Sequence, residues 1–288
     1  MFEIIRKRQL GPAAWLMDIK APRVTERAMP GQFLIVRCDK DGERIPLTIC
    51  DFDRDGGIVT IVFQVVGAET ERISHLELGD CFADVAGPLG NPSDLVDIPI
   101  EDLKKMKILF IAGGVGTAPV HNQLKWLSDN GIYADCIQGA RTNNLLILED
   151  EMQKCCANLY FATDDGSKGI RGNVCVALQQ LWDEGKRYDR CICIGPVIMM
   201  KFVCELTKKL GIPTVVSMNT VMVDGTGMCG ACRLLVDGQI KFTCVDGPEF
   251  DGHKVDFDGA MLRSRLYQDD EKRMLTELNS ECGCGGNK

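Results

Sequence analysis

Three groups of residues have types and spacings that suit chemistry. Cys229-Gly230-Ala231-Cys232 is followed by Cys244 after eleven residues, and Asp224 stands ahead of Cys229 with four residues between. Asp-x4-Cys-x2-Cys…Cys repeats the plant-type [2Fe–2S] spacing with aspartate in the first position. The short loop Asp224-Gly225-Thr226-Gly227-Met228 is small enough to wrap a cluster. Three thiolates and a carboxylate also make an acceptable zinc set, so the spacing leans to iron–sulfur and leaves zinc open. The second group, Gly113-Gly114-Val115-Gly116-Thr117-Ala118-Pro119, lies between an apolar run and a helical pattern. Glycines at a strand-to-helix turn let backbone amides approach a pyrophosphate at the helix N-terminus. Gly116 is expected at that approach, although Pro119 stands where the six-residue fingerprint would end in glycine. The third group is Arg44-Ile45-Pro46-Leu47-Thr48, with Phe63-Gln64 and Gly67-Ala68-Glu69-Thr70 beyond it. An arginine, a hydroxyl and an open turn suit a diphosphate, but also describe an ordinary charged turn entering a strand.

These groups need elements to hold them. Up to about residue 100, alternating stretches such as 32–37 and 57–63 are separated by Pro30-Gly31, Asp41-Gly42 and Asp55-Gly56-Gly57. That regularity predicts an antiparallel barrel or sandwich. From residue 106 the pattern becomes strand, helix, strand, predicting a doubly wound parallel sheet. Helices are expected at 118–130, 149–157, 174–185 and 198–210, with strands at 106–112, 133–138, 159–162, 191–194 and 214–218. After 219 the chain turns Gly- and Cys-rich, then ends in a polar helical tail carrying Cys282 and Cys284, expected to be dispensable.

Composition narrows the class. The 288 residues carry a formal net charge of −8, against the basic surplus of a nucleic-acid binder. No apolar run reaches the roughly 20 residues of a membrane span, and the N-terminus lacks signal-peptide order, so a cytoplasmic protein is expected. Fifteen cysteines is an odd count, and Cys136, Cys191 and Cys193 sit in apolar runs as small buried hydrophobes. His75, His121 and His253 are expected at the surface or in packing.

The order of motifs resembles the ferredoxin–NADP reductase superfamily. Arg-x-Pro-Leu-Thr at 44–48 precedes Gly87-Pro88-Leu89-Gly90-Asn91, and the glycine turn at 113–119 follows. Gly139-Ala140-Arg141, Thr163-Asp164-Asp165-Gly166 and Gly195-Pro196-Val197-Ile198-Met199-Met200 then fall where that superfamily has its NAD-domain motifs. With the cysteine segment added, the chain apart from its last 30 or so residues is similar to electron-transfer subunits of type B dihydroorotate dehydrogenase. Their relatives are the small subunits of NADH-dependent ferredoxin:NADP⁺ oxidoreductase and sulfide dehydrogenase. Aspartate in place of the first cluster cysteine favours the ferredoxin:NADP⁺ branch over the four-cysteine dihydroorotate branch.

The resemblance implies an FAD-binding barrel over 1–100, an NAD-binding α/β domain over 101–220 and a [2Fe–2S] segment over 221–252. Residues 253–288 form the C-terminal helix and tail. It assigns FAD contacts to Arg44, Pro46, Leu47, Thr48, Phe63, Gln64, Gly67 and Thr70, with Leu47 where the superfamily stacks an aromatic on the flavin. Arg44 sits one position earlier than in Arg-Pro-Ile-Ser relatives. NAD contacts fall on Gly113, Gly114, Gly116, Thr117, Ala118, Pro119, Arg141, Asp164, Asp165, Gly195, Pro196 and Met199. Cluster ligands are Asp224, Cys229, Cys232 and Cys244. The cysteine that often precedes Gly-Pro near the nicotinamide falls at Ile194; Cys193 is one residue off and on a strand faces the opposite side. The implied activity is electron transfer from NAD(H) through FAD to the cluster, because NADH gives two electrons and the cluster takes one. No side-chain base is needed. The implied partner is a larger flavin and iron–sulfur subunit that reduces NADP⁺, with ferredoxin as second donor or acceptor. A zinc-containing nucleotide-binding module is the reading from another class.

Overall fold

A computed structural model describes residues 2–266, 270, 271 and 273–276; the tail cysteines Cys282 and Cys284 lie outside them. The turn-punctuated first part forms strands β1 (Phe2–Gly11), β2 (Ala14–Lys20), β3 (Phe33–Arg37), β4 (Ile45–Asp53), β5 (Ile58–Gln64), β6 (Cys81–Phe82) and β7 (Asp84–Leu89). Helices α1 (Pro22–Thr25) and α2 (Ala68–Ser74) interrupt them. The sheet order is β6-β1-β2-β5-β4-β3-β7. Its edge strands β6 and β7 are separated in the chain by Ala83 alone, so the sheet must curl into a nearly closed barrel. Period-two alternation decides which core each side chain joins. On β5, Val59, Ile61 and Phe63 fill the barrel, while Val62 faces out onto the second core.

Beyond α3 (Ile100–Leu103), alternation of strand and helix builds the α/β unit. Its strands are β8 (Ile108–Gly113), β9 (Ala134–Ala140), β10 (Cys156–Thr163), β11 (Ile170–Arg171), β12 (Arg190–Ile194) and β13 (Thr214–Ser217). Its helices are α4 (Thr117–Asp129), α5 (Glu149–Cys155), α6 (Val174–Asp183) and α7 (Val197–Leu210). The parallel strands run β11-β10-β9-β8-β12-β13, covered on both faces as a parallel sheet requires. Every residue of β8 is buried, with Ile108, Phe110 and Ala112 in one core and Leu109 and Ile111 in the other. Cys193 and Ile194 fall in opposite cores for the same reason. Pro119 fits the first turn of α4, where its missing N–H has no helical partner. Gly211, left-handed at φ 72°, ends α7.

Helix α4 docks the barrel. The Asn122 side-chain amide donates to the Ile49 carbonyl at 2.7 Å, His121 Nδ1 lies 3.2 Å from the Cys50 carbonyl, and Lys125 pairs with Asp51 at 2.6 Å. Burial lowers the pKa of His121, so it packs as a neutral ring. The cysteine-rich segment makes a hairpin, β14 (Arg233–Val236) and β15 (Gln239–Phe242), then the short helix α8 (Thr243–Asp246). It returns as β16 (Glu249–Asp251), antiparallel to β13 at the sheet edge, and α9 (Phe257–Arg263) follows. Boundaries shift by up to three residues, most clearly where the helix expected to reach 157 stops at Cys155 and β10 begins at once, because Cys156 already pairs with Ala134 of β9.

Gly116 has a packing reason to be glycine. A Cβ there would lie 2.4 Å from the Ile194 carbonyl oxygen, so the turn is pressed against the end of β12. At Gly114, by contrast, φ is +55° and the space is open. Gly116→Val should therefore destabilise the fold by about 1–3 kcal/mol through overpacking, measured by denaturant unfolding. Gly114→Ala should cost about 1 kcal/mol, from its left-handed backbone alone.

Candidate functional site

The sheet order reverses at β8, and the crevice beyond the carboxyl ends of β8 and β12 is where such sheets bind ligands. Two cavities open there. One, of 590 Å³, lies between the α/β unit and the β1–β2 turn; the other, of 520 Å³, lies between the barrel, the glycine turn and the start of the cysteine segment. Gln64, Gly113, Gly114, Val115 and Pro196 line both. The shared wall is tight: a Cβ on Gly113 would meet Met199 Sδ at 2.4 Å, and one on Gly195 would meet the Met199 Cε at 2.5 Å. Both volumes suit a nucleotide-sized ligand.

Of the residues expected to hold FAD, Pro46, Leu47, Thr48, Phe63, Gln64 and Thr70 line the 520 Å³ cavity. The Thr70 hydroxyl is engaged in its own turn, accepting from the backbone amides of Val66 and Gly67. Gly67 is the N-cap of α2 and does not line that cavity, and neither does Arg44. Arg44 reaches the cysteine loop instead, with Nη2 3.5 Å from the Asp224 carbonyl and Nη1 3.7 Å from Asp84. Its Nε is buried without a protein partner.

Of the expected NAD residues, Gly113, Gly114, Arg141, Asp164, Pro196 and Met199 line the 590 Å³ cavity, while Gly116, Pro119 and Gly195 line the other. Thr117 and Ala118 are buried in packing, Thr117 accepting from the Gln138 amide at 3.3 Å. Asp165 turns to Ser167, whose hydroxyl and amide hold its carboxyl below the usual range. Sequence reasoning missed Gly11, Pro12 and Ala13, which supply a wall with no reactive group, and Phe202, whose neighbour on the wall, Ile198, belongs to the 195–200 motif. Ile198 and Phe202 are about half exposed and stand one turn apart on α7, a pattern with no buried face to account for it.

The cysteine segment places its donors in two pairs. Cys232 and Cys244 have their sulfurs 3.3 Å apart and pack with Phe33, Ile35 and Met222. Phe33 and Met222 also line the 520 Å³ cavity, so they stand between it and this pair. Burial, with the neighbouring Cys232 thiol, pushes Cys244 up to about 12. Cys229 is exposed, and amides of Ala231, Asp224 and Val223 lower its pKa. Asp224 lies beside it, but its Oδ2 accepts from the Thr226 amide at 2.9 Å and from the Thr226 hydroxyl. Ligation by Asp224 would therefore use its other oxygen. Among the described residues, no three His, Cys, Asp or Glu side chains close around a single ion position. Two close sulfurs, a third thiol whose pKa is lowered by amides and a carboxylate in the same loop make a four-donor set of the kind an iron–sulfur centre can use. In cluster-free protein, iodoacetamide should alkylate Cys229 before Cys232 or Cys244, mapped by peptide mass spectrometry.

Residues 219–256 match the iron-sulfur cluster binding domain of dihydroorotate dehydrogenase B. The chain is 50% identical over 296 aligned residues, covering 100% of both proteins, to an "uncharacterized protein in adh 3'region" of Clostridium beijerinckii. It is 42% identical to a dihydroorotate dehydrogenase B (NAD(+)) electron transfer subunit homolog of Thermotoga maritima, covering 94% of this chain and 93% of that one. A chain from a structure of NADH-dependent reduced ferredoxin-NADP oxidoreductase, reported for insights into flavin-based electron bifurcation, superposes with a TM-score of 0.86. It is 40% identical, covering 96% of this chain and 97% of that one. The chain thus belongs to the family of dihydroorotate dehydrogenase B electron transfer subunits and their homologues.

Proposed function

We propose that this chain is the NAD(H)-oxidising, electron-transferring subunit of an NADH-dependent reduced ferredoxin:NADP⁺ oxidoreductase, carrying FAD and a [2Fe–2S] cluster. The observation that carries the reading is the continuity of the site. The two cavities share a wall, and the second is separated from the Cys232–Cys244 pair by Phe33 and Met222. When bound, a flavin accepts the electron pair of NADH and passes electrons singly to an iron–sulfur centre.

The residues supply positions and surroundings. Pro46, Leu47, Thr48, Phe63 and Gln64 would hold the flavin in the 520 Å³ cavity. The open backbone at Gly114 would take the dinucleotide in the other, with Arg141 and Asp164 on its wall. Phe33 and Met222 keep water from the path between flavin and cluster. Asp224, Cys229, Cys232 and Cys244 would hold the cluster. Arg44 would brace the cysteine loop against the barrel, with its buried Nε left over for a ligand. The larger partner subunit would receive electrons at the exposed Cys229 side, with ferredoxin served through the complex.

Membership in the dihydroorotate dehydrogenase B family makes a dihydroorotate-oxidising complex the second reading. Identifying the co-purifying large subunit separates the two. A colourless protein that holds zinc would end both.

Arg141 is the one cation among the described residues that line the nucleotide cavity, where recognition of a 2′-phosphate calls for a dedicated positive site. NADH should therefore be oxidised in preference to NADPH with an artificial dye, and a clear NADPH preference would refute this assignment. Asp224→Cys should retain iron and shift the electron paramagnetic resonance spectrum, whereas Asp224→Ala should lower cluster occupancy. An unchanged spectrum in Asp224→Ala would assign the aspartate to its turn.

A further inference from the structure

On the other side of the β13–β16 edge lies a third cavity, of 760 Å³, which the electron path does not use. Glu249 is on its wall. The Glu249 Oε1 accepts from the Gln123 amide at 2.5 Å, and Gln123 in turn accepts from the Ser93 hydroxyl at 3.2 Å. Oε2 is buried with no donor in hydrogen-bond geometry, the Ser93 hydroxyl beside it being turned to Gln123. Yet the backbone of Glu249 runs beside the 520 Å³ cavity. Its chain neighbour Pro248 and its cross-strand partner Ser217 both line the 520 Å³ cavity, and Cys244 lies five residues upstream. One carboxyl therefore faces a polar cavity while its strand faces the cofactors.

We propose that Glu249 is a proton-loading site of the redox centre: on reduction its carboxylate takes one proton from solvent through the polar cavity, and on reoxidation returns it. The electron stays on the cofactors, and in each molecule where the carboxyl was ionised the proton forms an O–H bond on it, so that its charge offsets that of the electron there. The driving force is electrostatic. An added negative charge across one strand raises the proton affinity of a buried carboxylate far more than it would in water. Burial already pushes this carboxyl up to about 7, the range in which a modest added field changes its protonation.

The groups that face it are compatible with this role. Asp94, from the linker after the barrel, is paired with Arg190 at the start of β12, and Asp97 lies beyond it. Lys208 comes from the end of α7, Asp246 from α8 and Asp251 from β16. His253 is the other group able to titrate near neutrality, but burial lowers its pKa and its ring lies 3.0 Å from the Thr207 hydroxyl. The Nε of Arg190 is likewise buried without a partner and lines the same cavity. These two orphaned atoms are where a proton-carrying water would find its partners.

The inference rests on the electron-transfer reading above, and the test separates the two. The intact, cofactor-loaded protein is titrated by electron paramagnetic resonance at pH values from about 6 to about 8, spanning the range in which a group near neutrality titrates. The iron–sulfur potential is the readout, because the cluster itself need not take up a proton. The wild-type potential should fall with rising pH; Glu249→Gln should flatten the line with iron and flavin content unchanged, and His253→Gln should keep the slope. Parallel lines for wild type and Glu249→Gln, or loss of the slope in His253→Gln, would overturn the inference. Reduced-minus-oxidised infrared spectra of the wild type should show a protonated carboxyl band appearing on reduction; its absence would overturn the inference without any variant. Protein lacking iron and flavin would end the electron-transfer reading itself.

Discussion

Glycine against glycine is the contact on which the rest of the site depends. Gly113 ends β8 and Gly195 follows β12, and a Cβ on Gly195 would already stand 3.1 Å from the Gly113 backbone. That closeness brings two strand ends together at the point where the sheet reverses. It leaves one thin wall with space on either side, and both cavities are lined by it. A thicker wall would set the two cavities apart. The barrel contributes by docking on α4 through Asn122 and Lys125, which sets Gln64 against the same wall.

Much of this was legible in the residues, for identifiable reasons. Strand β8 is a continuous apolar run because both faces of a parallel sheet are covered, and the glycines after it mark the turn. Cysteine spacing is visible because loop length limits which thiols can meet. What stayed hidden depends on tertiary packing. Strand β16 is only Glu249–Asp251, Glu-Phe-Asp, with no apolar run to announce it, and it exists because the β13 edge pairs it. The Gly11–Ala13 wall carries no reactive group. The turn toward Asp224 taken by Arg44 depends on where the cysteine loop is packed, 180 residues later. Gly116 was legible as a required glycine, but its reason is the carbonyl of Ile194, which no local pattern reveals.

The polar residues divide by the same logic. Thiols in the strands, such as Cys136 and Cys193, are buried and held well above their usual pKa, which keeps them inert. Cys229 is exposed, with backbone amides lowering its pKa, which favours the thiolate a metal needs. Burial does not separate the two groups, because Cys232 and Cys244 are as buried as the strand thiols; their spacing from Cys229 sets them apart.

The cysteine segment leaves the sheet at Ser217 and comes back at Glu249, and these two residues face each other across neighbouring strands. Everything between them is an excursion whose ends are already side by side. Closing such an excursion needs only a tight reversal, so joining its ends costs little chain entropy. The excursion is nonetheless built into the rest of the molecule: Leu234 and Val236 of β14 complete one core of the α/β unit, and Cys232 and Cys244 pack on Phe33 and Ile35 of the barrel. A lineage that exchanged its electron outlet here would have to keep those apolar positions, because the module and its neighbours share them.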